Sequence, residues 1–222
     1  SACFAVAGPL SNNNAKIINL SWNISGNDLQ NKFNFKSCEL INDFAVQIYG
    51  IPYLKNNQYS IIQNGSHFEG ANNDLHAIVG AGTGLGIARG IISGNKVKVL
   101  ASEGGHVEYS PKSNLEWELK IWLKNYLKIE RISCERIVSG SGLSRIAEWR
   151  LSKPDAQNHP LQKYLKEMKI SDSARKELPE KICRLSKEGD QLMIEVERIW
   201  LGTYASLLLS LIHISEPTRH RQ

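Results

Sequence analysis

The tightest constraint on this chain is a run of four glycines at alternate positions, Gly80-Ala81-Gly82-Thr83-Gly84-Leu85-Gly86. Glycine reaches positive φ without penalty and has no Cβ to keep a ligand away, so such a run reads as a turn whose N–H groups can close on an anion. Residues 77–81 read as a strand entering it. Residues 87–92 and 97–100 read as strands flanking Ser93-Gly94-Asn95, which is hairpin chemistry. Two nucleotide motifs fail here. A P-loop needs a Lys after its last glycine, and none follows. The dinucleotide fingerprint needs a glycine where Leu85 or Ile87 stands, and then a helix rather than a strand. A strand–turn–strand phosphate hairpin with the Thr83 hydroxyl as donor remains, beside an ordinary glycine-rich β-turn.

The flanking sequence sets an α/β pattern, strands first and helices after. Residues 2–6 and 15–19 read as strands around a polar turn, the first of them apolar enough for a buried strand. Residues 25–33 read as a helix capped by Ser25. A strand over 38–43 then meets a helix over 44–49 that Gly50 and Pro52 interrupt. The polar, Asn-rich stretch 56–74 is a connection. Ser113-Asn114-Leu115-Glu116 forms a capping box, and Leu115, Leu119, Trp122, Leu123 and Tyr126 repeat at helical spacing behind it. Pro179 suits the first turn of a helix that stops at Gly189. Asp190 caps a further helix whose inner face is Met193, Val196, Trp200, Tyr204 and Leu207. Two lobes joined near residues 53–74 are expected.

Charge and cysteines remove several function classes. The net charge of +5 comes from 27 Lys and Arg against 22 Asp and Glu. The bases are interleaved with acids: Glu116, Glu118, Glu130 and Glu135 dilute the lysines of 112–136, which is a solvated mixed surface rather than a nucleic-acid face. Cys3, Cys38, Cys134 and Cys183 lie far apart, as reduced thiols of a cytoplasmic protein do. Neither a secretory leader nor an apolar run of the roughly 18 residues a membrane span needs is visible.

Three further groups can carry chemistry. Asp43 ends a strand just before a helix, where α/β proteins place their sites, and could take a proton from a hydroxyl while Asn42 donates and accepts. The plainer reading of Asp43 is a helix cap. Glu103-Gly104-Gly105-His106 can bring a carboxylate and an imidazole onto one small polar ligand. It is a weak metal motif, with no second His or Cys at ligand spacing. Glu135 has Arg136 beside it as a simple ion-pair partner.

Taken in order, Leu40-Ile41-Asn42-Asp43-Phe44, the glycine run, Glu103-Gly104-Gly105-His106-Val107 and the segment from Cys134-Glu135-Arg136 to Ser139-Gly140-Ser141-Gly142-Leu143 closely resemble bacterial glucokinases. These belong to the hexokinase-like branch with a ribonuclease H-like, actin-type ATPase fold. Ala5-Val6-Ala7-Gly8-Pro9-Leu10 and Asn19-Leu20-Ser21-Trp22 match the same family. The resemblance implies two lobes with a sugar cleft between them and transfer of the ATP γ-phosphate, with Mg2+, to the 6-hydroxyl of glucose. It implies Asp43 as the base, and Asn42, Glu103, His106 and Glu135 on the sugar hydroxyls. Gly82, Thr83 and Gly84 then face the ATP phosphates, and no protein-held metal is implied. A sugar offers only hydroxyls, so acceptor groups must read it, while phosphoryl transfer asks mainly for alignment and charge neutralisation.

Departures from the family are equally informative. The Asp-x-Gly-Gly-Thr phosphate loop that opens its members is absent, as is the zinc-binding cysteine cluster of the repressor–kinase branch. The stretch from Leu209 to Arg219 resembles the translation of a sequencing-library adapter, so His213 and His220 are not read as ligands. The expected layout is a remnant of the small lobe over 1–55, an incomplete large lobe over 56–208 and a non-native tail over 209–222. A homodimer is expected only of the full-length parent. The competing readings are a non-catalytic sugar-binding regulator on the same fold, disfavoured by the presence of Asp43, and a dinucleotide-dependent oxidoreductase, disfavoured by the hairpin after the glycines. Without the first phosphate loop, this chain alone is expected to show little or no kinase turnover. A coupled assay of the 222-residue polypeptide checks this, and robust glucose phosphorylation would refute it.

Overall fold

A computed structural model describes residues 1–17, 20–63, 74–100, 102–168 and 172–215. The chain divides into two units: Ser1–Ile78 with Ile87–Ser102, and Val79–Gly86 with Glu103–Gln222. In the first unit, β1 (Ala2–Val6) pairs in parallel with β5 (Cys38–Asn42), so that Val6 stands opposite Asn42. Between them run the antiparallel strands β2 (Leu10–Ser11), β3 (Asn14–Ile17) and β4 (Trp22–Ser25), then α1 (Gly26–Lys32). Ser25 caps α1, its hydroxyl accepting from the Asp28 N–H. Val6, Ala15 and Leu40 form a small core, against which Leu10, Ile24 and Leu29 pack.

The apolar composition of residues 2–6 predicts a buried strand, and the structure corrects this. Only Val6 of β1 is buried; Cys3, Phe4 and Ala5 are exposed. Among the described residues β1 has β5 as its one neighbour, and a two-stranded sheet leaves most of its surface uncovered. The strand expected over 15–19 ends at Ile17, residues 18 and 19 lying outside the described residues.

Asn13 holds the other side of β5. It sits at φ 59°, and its carboxamide donates to the Cys38 carbonyl (2.9 Å) and accepts the Leu40 N–H (2.8 Å). A side-chain amide thus does what a neighbouring strand would do, and β5 is fixed in register up to Asn42. Beyond it comes α2 (Ala45–Gly50), whose Ile48 is fully buried. β6 (Asp74–Ala81), β7 (Leu85–Ser93) and β8 (Lys96–Leu100) form a three-stranded sheet, with β7 and β8 antiparallel about the turn at Gly94 (φ 54°).

The second unit is mainly helical: α3 (Asn114–Leu127), α4 (Gly140–Leu151), α5 (Leu161–Met168), α6 (Asp172–Lys187) and α7 (Gln191–Ser215). Leu119, Leu123, Ile137, Ile146, Leu178, Ile182, Met193 and Val196 are wholly buried. Arg150 closes this core with a bidentate pair to Asp155 (2.9 and 2.8 Å) and a bond to Glu195 (2.6 Å). Among the described residues no helix is long and apolar enough to cross a membrane.

Three helix readings change. The capping box is half formed: Ser113 accepts the Glu116 N–H, but the Glu116 carboxylate turns to the Lys112 N–H and the Tyr109 hydroxyl. Pro179 lies inside α6 rather than in its first turn, because good helix formers precede it and buried Leu178 and Ile182 anchor both sides. The inner face of α7 holds Met193, Val196 and Leu207 as expected, with Ile199 and Thr203 added; Trp200 and Tyr204 are only half-buried.

The α6–α7 turn is tied by one carboxylate. Asp190 caps α7 by accepting the Met193 N–H (3.0 Å) and contacts His159 Nε2 at 2.9 Å. His159 Nδ1 accepts from the Leu161 N–H, so Nε2 carries the proton and donates to Asp190. Burial pushes the Asp190 carboxyl up, but the Met193 N–H and His159 outweigh it and hold it below the ordinary 3.8. A depressed folded-state value contributes stability above pH 3.8 that fades as pH falls through it. Asp190→Ala is expected to cost about 1 kcal/mol at neutral pH and to flatten this acid-side loss. Thermal melts at pH 7 and on the acid side of the transition check both.

Candidate functional site

In the second unit, two short segments are laid side by side as strands. The Tyr109 N–H donates to the Ile132 carbonyl (2.8 Å) and the Cys134 N–H to the Val107 carbonyl (2.8 Å), with Glu108 paired antiparallel to Ser133. Lys120, nearly buried, fastens this strap from α3 by donating to Glu108 (2.8 Å) and the Tyr109 carbonyl (2.9 Å). Lys120 accordingly holds the Glu108 carboxyl below its usual range. Burial pushes the Tyr109 hydroxyl and the Cys134 thiol up, so both stay protonated near neutral pH. The strap supplies position rather than chemistry.

The strap leads into two 3₁₀ turns, Gly104–His106 and Cys134–Arg136, which carry three of the expected sugar readers, Glu103, His106 and Glu135. Glu103 and His106 are exposed, with His106 Nε2 3.7 Å from Glu103 Oε2. Arg131 fixes the turn by donating to the His106 carbonyl (2.8 Å). Glu135 is half-buried, and its Oε2 accepts the Leu85 N–H at 3.2 Å, a partner that the neighbouring Arg136 only obscured in the sequence.

The glycine run meets these turns directly. Its tip is the bend Gly82–Gly84, closed by the Gly82 N–H on the Gly84 carbonyl (2.8 Å), with Gly82 and Thr83 exposed. Positive φ is not what the glycines provide: among the described glycines only Gly8, Gly94 and Gly189 adopt it. They provide space. A Cβ at Gly84 would lie 2.8 Å from Glu135 Oε2, and one at Gly105 would lie 2.1 Å from the Leu85 carbonyl oxygen.

The start of α4 completes the arrangement. Ser139, fully buried, caps α4 by accepting the Gly142 N–H and donates to the Glu135 carbonyl (2.8 Å). Its own carbonyl accepts from Trp200 Nε1 on α7 (3.1 Å). The Gly140 N–H donates to the Gly82 carbonyl (2.8 Å), so the first turn of α4 touches the glycine bend. Glu103, His106, Glu135 and the bend at Gly82, Thr83 and Gly84 therefore form one connected assembly. Leu85, Gly105, Ser139 and Trp200 were not read as site residues. Ser139-Gly140-Ser141-Gly142 does hold a cap signal, but its two glycines hide the helix that follows.

Asn42 and Asp43 belong to the first unit. The Asp43 N–H donates to the Val6 carbonyl (3.2 Å), which extends the β1–β5 pairing to the strand's end. Asn42 Oδ1 accepts the N–H groups of Phe44 (3.0 Å) and Ala45 (3.1 Å), so Asn42 carries most of the capping expected of Asp43. Among the described residues the Asp43 carboxylate accepts only the adjacent Phe44 N–H, through Oδ1, and Oδ2 has no hydrogen-bond partner. Among the described residues no group of three or more His, Cys, Asp or Glu gathers to hold a metal.

A family model described as Glucokinase matches residues 1–208. The chain is 36% identical over 211 residues to a glucokinase of Synechocystis sp., covering 92% of this chain and 59% of that protein. It is 40% identical over 159 residues to one of Nostoc sp., covering 72% and 46%. The chain thus spans about half the length of these relatives. Among solved structures it is similar to a glucokinase from an Antarctic psychrotroph (TM-score 0.67, 29% identity, 94% of this chain and 60% of that one). The fold is also that of the Balamuthia mandrillaris glucokinase solved in complex with glucose (TM-score 0.64, 21% identity, 95% and 59%).

The close approach at Gly105 is testable by itself. Gly105→Ala is expected to cost about 1–3 kcal/mol, because backbone rather than a flexible side chain must move. Gly82→Ala, with nothing within 4 Å of the added methyl, is expected to leave stability unchanged. Urea unfolding of both variants checks the contrast.

Proposed function

This chain belongs to the glucokinase family, and we propose that the full-length protein transfers the γ-phosphate of ATP to the 6-hydroxyl of glucose. The observation that carries this reading is Asp43. Its carboxylate stands at the carboxyl end of β5, and among the described residues Oδ2 is uncommitted, because Asn42 has taken over most of the capping of α2. In this proposal Asp43 accepts the 6-hydroxyl proton as the oxygen attacks the γ-phosphorus and the bond to ADP breaks. Asn42, Glu103, His106 and Glu135 bind the other sugar hydroxyls. Carboxylate oxygens accept from hydroxyls, and the carboxamide and imidazole can do either, which suits a ligand made of hydroxyl groups.

Gly82, Thr83 and Gly84 are assigned to the ATP phosphates. An exposed bend carrying the Thr83 hydroxyl, set against the first turn of α4, favours negative charge. Mg2+ enters as part of the Mg–ATP substrate, and its role there is to offset phosphate charge; no residue is assigned to hold it. The lobes proposed from the sequence, 1–55 and 56–208 with a tail over 209–222, remain part of this reading, as do a cytoplasmic location and a homodimeric parent.

In the full-length protein, Asp43→Ala is expected to abolish turnover while glucose affinity changes little. A coupled assay beside titration calorimetry with glucose checks it. Loss of binding in step with loss of turnover counts against Asp43 as the base, and a parent that binds no glucose removes the kinase reading itself.

A further inference from the structure

Glu135 has two oxygens and only one is engaged inside the protein. Oε2 accepts the N–H of Leu85, the first residue after the glycine bend, and lies 2.8 Å from where a Cβ on Gly84 would sit. Among the described residues Oε1 has no hydrogen-bond partner. We propose that Glu135 is a positioning residue for the phosphate bend as well as a reader of the sugar, so that one carboxylate couples glucose binding to ATP binding. The proposal rests on the kinase reading above and deepens it.

The bend has few other anchors. The Gly140 N–H takes the Gly82 carbonyl, the Gly82 N–H closes on the Gly84 carbonyl, and Gly105 packs against the Leu85 carbonyl oxygen. Of these contacts, the one to Glu135 alone comes from a side chain, and that side chain has torsions free to turn. A carboxylate held by a single N–H can still swing about its terminal bond. A sugar hydroxyl donating to Oε1 fixes its plane, and with it the direction in which the Leu85 N–H must point. The ordering cost of a long side chain is then met by the first ligand, so the second meets a bend already set. Linkage requires the effect to run both ways: bound nucleotide must tighten glucose by the factor with which glucose tightens nucleotide.

The variants separate this from a residue that only reads sugar. In Glu135→Gln the amide oxygen can still accept from Leu85, whereas its NH2 group cannot accept from a sugar hydroxyl. Glu135→Ala removes both functions. Gly84→Ala forces the bend and the carboxylate apart while the Glu135 side chain itself is retained.

The test is titration calorimetry on the full-length protein with glucose and with a non-hydrolysable ATP analogue plus Mg2+, each alone and with the other saturating. In the parent, each ligand is expected to tighten the other on the order of fivefold. Glu135→Gln should weaken glucose while keeping nucleotide affinity close to the parent's, and Glu135→Ala should weaken both. Gly84→Ala should bring the coupling factor to about one. A Glu135→Ala protein that loses glucose alone, or a Gly84→Ala protein with parental coupling, overturns the proposal and leaves the kinase reading intact. Because Glu135→Gln is isosteric, its split between the two ligands decides the matter even if Glu135→Ala fails to fold; equal weakening of both ligands in it counts as refutation. A parent that binds neither ligand overturns both readings.

Discussion

Leu85 and the bend before it join three stretches of chain that are remote in sequence. The Leu85 N–H donates to the Glu135 carboxylate, the Leu85 carbonyl lies against Gly105, and the bend touches the first turn of α4. The backbone contacts among these tolerate little displacement. Two of the three contacts depend on glycines with no room for a methyl group, and the hydrogen bond to a carboxylate is stronger than one between neutral groups. The second unit's site is therefore a backbone assembly first and a set of side chains second.

The helices behind it serve that precision. Ser139 connects the Glu135 turn, the cap of α4 and the Trp200 indole on α7, so core packing is transmitted to the turn through directional bonds. The wholly buried Ile137, Ile146 and Met193 place α4 and α7. Exposed Glu103 and His106 owe their placement to Gly105, to Arg131 and to the strap, not to burial of their own. Polar groups that must meet a polar ligand cannot be sunk into a core without losing it, so rigid backbone does the holding.

A different solution serves Asn42 and Asp43. Their strand is registered by β1 on one side and by the Asn13 carboxamide on the other, and Asn42 then caps α2. Division of labour between the adjacent amide and carboxylate leaves the latter with an oxygen uncommitted among the described residues. The sequence points to Asp43 as the cap; hydrogen-bond geometry gives most of that role to Asn42.

Much was determined by sequence alone: the strands at 2–6 and 38–43, the latter one residue longer than the structure has it, the hairpin about Gly94, the Ser25, Ser113 and Asp190 caps, and the ordered motifs that mark the family. These features are local, set by side-chain periodicity, capping oxygens and turn residues within a few positions of one another. Tertiary structure decided that the glycines at 84 and 105 supply room rather than positive φ, that β1 is largely exposed, that Pro179 lies mid-helix, and that Glu135 answers Leu85 instead of Arg136. The outcomes at Gly84, Gly105 and Glu135 turn on which atom arrives from about 20 to 50 positions away. Spacing along a chain carries no record of such an approach, because the free energy that selects it comes from packing many residues at once.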